Sequence, residues 1–430
     1  MREQRGEKRL LRWINWLCVI VFSIFSYTFI AVYQSPLLEA YYDKIATGKL
    51  EYNGHVVAAI TTTLLVLLAL WLNRYTKFQR EWSAMAYLPS SLLLAFITDI
   101  EPAIYTGVGT SVVTWVWILV IGLSIYTFMA FIMHNFLFAK IKNLQMEGHR
   151  IVWRNLLLFA IFFCTIGGLS NGNDNFKHEA LAYSYFKRGD LDAALNVASR
   201  SLNASHDLTA ARAFYLANKG SMAEQLFFYP QYYGAEGLLP SPDRSSPFPP
   251  DTVYSTLGLA RNEDETAVDY LRRVIDKDSI PSRMIADYYL CSLLLDKRIN
   301  EFVKELPRFY DIKSGKRLPQ HYKEAIIYYV TTIGDYEITF DADSMRSELL
   351  IMGLLDWDYG ERIPEHYKDA IKEYTLSSQE FGNMLDVDSL GKMYVSMLEL
   401  ERKYPQLHIR SNFIRKHFGH TYWWYFAYDD

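Results

Sequence analysis

Apolar residues run in five long blocks through the first 170 positions, and no block of similar length follows. A membrane-spanning helix needs roughly 20 mainly apolar residues, within a range of about 17–25. Trp13–Tyr33, Val56–Leu72 and Val112–Leu137 meet that requirement. Ala84–Ile100 is shorter and carries Pro89, which a membrane helix tolerates when its neighbours satisfy the freed carbonyl. Ile151–Leu169 holds Arg154 and Asn155 in its first turn, so a span there requires Arg154 to snorkel toward the headgroups. Trp13, Trp16, Trp71, Trp82 and Trp153 lie near block ends, where an interfacial aromatic belt belongs.

After residue 170 the pattern changes. Asn171-Gly172-Asn173-Asp174-Asn175 is a polar break. It lacks the later glycine and glutamate of a calcium loop, so it is read as a hinge leaving the membrane. Leu181–Leu202 then shows apolar and small residues at helical spacing, interrupted at Gly189-Asp190. This is the pattern of one tetratricopeptide unit: Ala182 at a close helix approach, Tyr185 as the large packing residue, Gly189 for the turn, Ala194 on the second helix and Leu202 at its end. A second internal signal is the decapeptide starting Arg317-Leu318-Pro319, which recurs at Arg362-Ile363-Pro364 with an offset of 45 residues. Proline suits a first helical turn because its missing N–H has no partner there. Helices are also expected over Asp251–Ala260, Glu263–Asp276, Ser282–Leu295, Ile299–Tyr310 and Val387–Lys403, and no segment has strand period. The fold class is all-α: about five transmembrane helices over residues 1–170, then a soluble helical-repeat, tetratricopeptide-like superhelix over 171–430.

Charge adds an orientation. Residues 1–170 carry net +5 and residues 171–430 net −9, which together give the −4 of the whole chain. Lys and Arg alternate between loops: Arg2, Arg5, Lys8, Arg9 and Arg12 first, then only Lys44 and Lys49. Arg74, Lys77 and Arg80 follow, then none, then Lys140, Lys142, Arg150 and Arg154. Twelve against two across alternate loops fits five spans with the N-terminus in the cytoplasm and the tail outside. Should Ile151–Leu169 only lie along the surface, the tail would be cytoplasmic. A cleaved signal peptide is disfavoured for the first block, whose apolar core is long and has no clean small-residue cleavage site after it. The acidic tail excludes nucleic acid as a partner, because phosphate neutralisation needs clustered positive charge.

Candidate chemistry is sparse. Of three cysteines, Cys18 and Cys164 lie in apolar blocks and only Cys291 lies in the tail, so the tail has no internal disulfide and no thiolate zinc site. No cofactor or metal site is expected. His321 and His366 occupy equivalent repeat positions and are expected to pack, and His417 with His420 forms an isolated H-x-x-H. Glu39 and Asp43 in one outer loop and Asp99 and Glu101 at another edge are the candidate carboxylates for a lipid-linked sugar transferase, acting as metal ligand or base. Solvated acids that end a helix are the favoured interpretation. Tyr229–Pro250 contains six prolines and reads as an irregular insertion. Phe418–Phe426 places six aromatics within nine positions. A terminal cap over the last apolar face is favoured there, and an aromatic binding surface is the sharper alternative. The candidate partner-binding residues are Tyr229, Pro230, Gln231, Tyr232, Tyr233, Tyr422, Trp423 and Trp424.

The stretches FFYPQYYGAEGLLP and FGHTYWWYFAY resemble a family of uncharacterised multi-pass membrane proteins from Bacteroidetes, over residues 176–430. The resemblance implies a helical-repeat tail in the periplasm, carried by membrane helices of a Gram-negative inner membrane. It brings no catalytic residues, and those relatives have longer membrane parts than five spans.

The expected function is therefore a membrane-anchored helical-repeat scaffold, in contact with membrane lipid and presenting a periplasmic surface to a protein or peptide partner. The alternative is an envelope enzyme of the lipid-linked glycosyltransferase type using the four acids.

Overall fold

A computed structural model describes residues 2–46, 52–76, 80–102, 105, 111–132, 148–199, 201, 203–241, 246–262, 264–277, 281–310, 318–329 and 387–428. Every regular element among them is helical, with no strand. The chain divides into two compact units, Met1–Ser184 with Asp243–Pro247, and Tyr185–Pro242 with Phe248–Asp430.

The first unit contains α1 (Arg2–Thr28), α2 (Ser35–Ala46), α3 (Gly54–Thr76), α4 (Leu88–Thr98), α5 (Ser111–Ile132) and α6 (Gly148–Leu169). Among the described residues four helical stretches are long and apolar enough to cross a membrane: Trp13–Tyr33, Gly54–Thr76, Val113–Ile132 and His149–Leu169. The third expected block is a shorter apolar helix, Trp82–Thr98. It begins as a 3-10 turn, Arg80–Tyr87, and becomes α-helical one residue before Pro89, which occupies the first turn where no N–H is needed.

Small residues bring these helices together. Ala58, Ala69, Ala84, Ala86 and Ala95 are all fully buried, and close approach of this kind is how helices associate where lipid removes the hydrophobic drive. Aromatic rings fill the remaining space: Phe22 lies 5.0 Å from Tyr87, and Phe25 stacks on Phe163 at 3.7 Å. Ile24, Ile60, Leu64, Leu67, Val116 and Trp117 face outward. An exposed apolar surface of that extent is compatible with a membrane protein.

Two buried polar side chains of this unit bind backbone of a neighbouring helix. Ser90 Oγ donates to the Leu65 carbonyl at 2.8 Å. Asn155 Oδ1 accepts the Ala84 N–H at 2.8 Å, and the Arg154 guanidinium lies 5.1 Å from the Trp82 ring centre. The two residues that seemed awkward for a span thus bind the 3-10 turn that opens the shorter helix, whose first N–H groups have no partner of their own.

The second unit begins within α7 (Asp174–Lys187) and continues through α8 (Leu191–Asn196), α9 (His206–Lys219), α10 (Met222–Gln225), α11 (Pro250–Leu257), α12 (Ala267–Lys277), α13 (Arg283–Leu295), α14 (Ile299–Phe309), α15 (Gln320–Tyr328), α16 (Val387–Lys403), α17 (Leu407–Phe418) and α18 (Tyr422–Tyr428). Gly189, at φ +77°, makes the expected turn between α7 and α8, and Asp190 caps α8 by accepting the Ala193 N–H at 2.9 Å. The second helix was expected to reach Leu202 but stops at Asn196. Arg212 of α9 is the cause: its Nη2 donates to the carbonyls of Val197 and Ala198, both at 2.8 Å, and Ala198 turns to φ +49°.

Helices α9 and α13 are buried on nearly all sides and take polar side chains inward with them, Asp207, Thr209 and Arg212 from the first and Asp287 and Ser292 from the second. Helices α12 and α14 flank α13 and are amphipathic, with Val268, Leu271 and Ile275 or Phe302, Val303 and Leu306 inward. The proline-rich insertion is packed. Ala235, Leu238, Leu239 and Phe248 are buried, and Asp296 and Asp207 accept the N–H groups of Ala235 and Ser241 at 3.0 and 2.8 Å. The first decapeptide copy forms the start of α15, with Pro319 as its N-cap. The second copy, including His366, lies outside the described residues.

Candidate binding pocket in the helical unit

Helix α15 carries the buried carboxylate that organises the end of the chain. Glu324, His321 and Tyr322 have almost no exposure. Glu324 Oε2 contacts His321 Nδ1 at 2.9 Å and accepts the Tyr422 N–H at 2.8 Å, and its Oε1 accepts from Gln320 Nε2 at 2.8 Å. The Trp423 indole N–H donates to the Glu324 carbonyl at 2.7 Å. Charge-assisted bonds in a dry site are the strong kind, so α18 is held at its first turn. Tyr425 adds a bond to the Leu295 carbonyl at 2.6 Å, and the Tyr394 ring lies 4.8 Å from Trp423.

The turn Leu226–Phe228 that leads into the insertion meets α18 at the same place. Phe227 lies 5.3 Å from Tyr422, 5.0 Å from Tyr425 and 4.9 Å from His321, and Phe228 lies 5.4 Å from His420. The outcome is a cavity of about 390 Å³. One wall is Ser199, Ser201 and Phe227–Tyr232, and the other is Ser411, Asn412, Arg415, Gly419, Trp424, Tyr425 and Tyr428.

Of the eight candidate partner-binding residues, Tyr229, Pro230, Gln231, Tyr232 and Trp424 line this pocket. Tyr233 is exposed beside His206, 4.9 Å between ring centres, and does not line it. Tyr422 and Trp423 are fully buried and anchor the wall from behind. The cap and the binding surface are two faces of one short helix. Sequence inspection missed Ser411, Asn412 and Arg415, whose helix has no marked pattern of its own; its run of Arg410, Arg415 and Lys416 without an acid was the available signal.

Behind Tyr229 sits Arg212, whose guanidinium lies 5.1 Å from the ring centre. Arg212 is buried, and desolvation lowers its pKa to about 10, partly offset by Tyr229. Gln231 is also buried. Its Nε2 donates to the Leu226 carbonyl at 2.9 Å, while its Oε1 has no partner among the described residues.

The four candidate acids of the first unit are placed differently. Glu39 is buried and accepts from Ser184 Oγ at 2.7 Å. Asp99 accepts the Trp115 indole N–H at 2.6 Å. Asp43 lies near enough to Tyr105 to raise its pKa, secondary to burial, while the Tyr105 hydroxyl donates to the Ala40 carbonyl at 3.0 Å. Glu101 follows Ile100, whose carbonyl accepts from Asn171 Nδ2. Among the described residues no three His, Cys, Asp or Glu side chains gather in a way that could hold a metal ion. A second cavity, about 470 Å³ between α1 and α3, is lined by Ser23, Ile24, Tyr27, Ala59, Thr62, Thr63, Val66 and Leu67, and contains none of the acids.

Fold and site together define a helical protein with apolar helices of membrane-spanning length and a separate helical unit bearing an aromatic pocket. Residues 264–345 match a family of unknown function (DUF6057), a span that covers α12 to α15 and leaves the pocket walls outside it. No curated protein and no solved structure matches the chain.

Proposed function

We propose that this protein is a membrane-anchored helical scaffold of a bacterial inner membrane, with its N-terminus in the cytoplasm and its helical unit binding a partner in the periplasm. The observation that carries the proposal is the pocket itself. Two aromatic segments far apart in sequence converge on one cavity, with polar side chains placed among the rings, which is the composition of a binding site. The orientation is supported by the twelve-to-two loop charge asymmetry and by His149–Leu169, which has the length and apolarity of a fifth crossing. A tetratricopeptide-like origin of the unit is supported by the α7–α8 turn at Gly189.

The glycosyltransferase alternative has less support. Glu39 and Asp99 each already hold a local contact, to Ser184 and to Trp115.

The test uses the full chain in native membranes with a photoreactive benzophenone amino acid at Tyr232, whose ring is exposed at the pocket. A discrete crosslinked adduct that disappears on adding Trp424→Ala supports the scaffold. Absence of any adduct, together with loss of a lipid-linked sugar transfer in Glu39→Ala or Asp99→Asn, would replace it with the enzyme.

A further inference from the structure

We infer that the pocket between the insertion and α17–α18 takes a small acidic carbohydrate. The inference rests on the pocket being a binding surface and adds the chemistry of its ligand. That ligand is a sugar rather than the peptide that stacked helices alone suggest.

The lining decides the class. None of the fifteen described lining residues is Leu, Ile, Val, Met or Ala, although these types fill the unit's core. Grooves that take the apolar face of a helical peptide rely on such aliphatic groups. This pocket instead alternates aromatic faces with hydroxyl, amide and guanidinium groups. A pyranose has the complementary surface: a flat C–H face that lies on a ring, and a rim of hydroxyls that both donate and accept. Contacts between C–H groups and aromatic faces are individually weak and accumulate over a ring. The volume of about 390 Å³ lies near the small end of the roughly 300–1,000 Å³ usual for small-molecule sites. It suits a compact unit rather than an extended chain.

Two further observations sharpen the match. Gln231 is held by its own amide N–H on the Leu226 carbonyl, which leaves a buried Oε1 without a donor among the described residues, in a side chain that lines the cavity. An unpaired buried acceptor is costly and is satisfied by a ligand hydroxyl. Arg415 lines the opposite wall with its side chain exposed, and no carboxylate lies within ion-pair distance of it among the described residues. Helix α17 also carries Arg410 and Lys416 and no acid, within a stretch of net −9. A planar guanidinium set among hydroxyl and amide groups selects a carboxylate- or phosphate-bearing sugar over a neutral one.

The experiment places the full-length protein, in detergent micelles, on an array of uronate-, sialate- and phosphate-bearing oligosaccharides beside their neutral counterparts. Hits are confirmed by tryptophan-fluorescence titration. Acidic glycans are expected to bind at least tenfold more tightly than neutral ones. Arg415→Gln should erase that ratio, and Trp424→Ala should weaken every hit. Tyr232→Ala, at an exposed ring, gives the same weakening without a folding risk. An array with no acidic preference, or a preference that survives Arg415→Gln, overturns the inference. A blank array alongside a Trp424-dependent crosslink to a polypeptide overturns the sugar alone and leaves the scaffold standing. A blank array with no crosslink overturns both.

Discussion

Glu324 accepts the backbone N–H of Tyr422 at 2.8 Å, although 98 positions separate them in sequence. The same carboxylate holds His321 and Gln320, so one buried group ties α15 to α18. Glu324→Ala strands the Tyr422 N–H and His321 in a dry site. Breaking a buried charged contact on one side costs about 3–5 kcal/mol. The expected result is a lower unfolding midpoint by circular dichroism and faster proteolytic loss of the segment after Leu407, with Glu324→Gln milder on both measures.

The two adjacent tryptophans should separate stability from binding. Trp423 is fully buried against Tyr394 and donates to Glu324, so Trp423→Ala should destabilise by about 3–5 kcal/mol, the usual range for deleting a buried large aromatic. Trp424 is half-buried, stacks on Tyr428 at 4.9 Å and lines the pocket. Trp424→Ala should leave the midpoint much closer to wild type and abolish the Tyr232 crosslink. Equal effects of both changes on both readouts would contradict this division.

Gly419 allows α17 to close onto the pocket wall. A Cβ there would lie far inside contact distance of the Arg415 carbonyl, a backbone atom that cannot swing away. Gly419→Ala is expected to shift the end of α17, destabilising by about 1–3 kcal/mol as overpacking does. Quenching of Trp424 fluorescence by acrylamide should rise. An unchanged quenching constant would show that the wall tolerates the methyl group.

Asp287 gives a pH dependence of known sign. It is buried, and its Oδ1 accepts from the hydroxyls of Tyr310 and Tyr322, the latter at 2.8 Å. Desolvation outweighs those two donors and raises its pKa above the usual carboxylate value. The folded state therefore holds this proton to higher pH than the unfolded chain does. Its contribution to stability is largest below the unfolded pKa and declines as pH rises toward the folded one. Asp287→Asn removes that decline. The stability difference, variant minus wild type, should grow more favourable to the variant as pH rises through that window, and a difference independent of pH would contradict the assignment.

Cysteine accessibility tests the proposed orientation. Cys18 and Cys291 are buried, burial pushes the Cys291 thiol up, and Cys164 lies on the apolar face of α6. Native protein should therefore resist a membrane-impermeant maleimide. Asn196→Cys, at an exposed position of the helical unit, should label in cells with a permeabilised outer membrane and intact inner membrane. Labelling only after the inner membrane is broken would move the unit to the cytoplasm.

Much of the fold was legible because it is written in local period. Four of the apolar blocks lie in helices of spanning length and the third in a shorter one, and Ser282 and Ile299 mark the starts of α13 and α14 within a residue. What escaped was everything set by a distant partner. Helix α8 ends early because Arg212 of the next helix takes its carbonyls. Arg154 and Asn155 looked like obstacles to a span because their partners, Trp82 and the Ala84 N–H, lie some seventy residues away. The two aromatic segments were each conspicuous, but nothing local says that Phe227 meets Tyr425. Arg415 has an ordinary sequence context and gains its role only from the wall opposite.

The pocket's two walls are made at different times. Ser199–Tyr232 leaves the ribosome long before Ser411–Tyr428, while the apolar helices and α9 through α14 can already be in place. A chain interrupted or clipped between α16 and α17 would keep its apolar helices and most of the second unit yet lack one wall of the pocket. A complete pocket thus requires α17 and α18, and a cut in that one segment removes one wall while leaving the apolar helices whole.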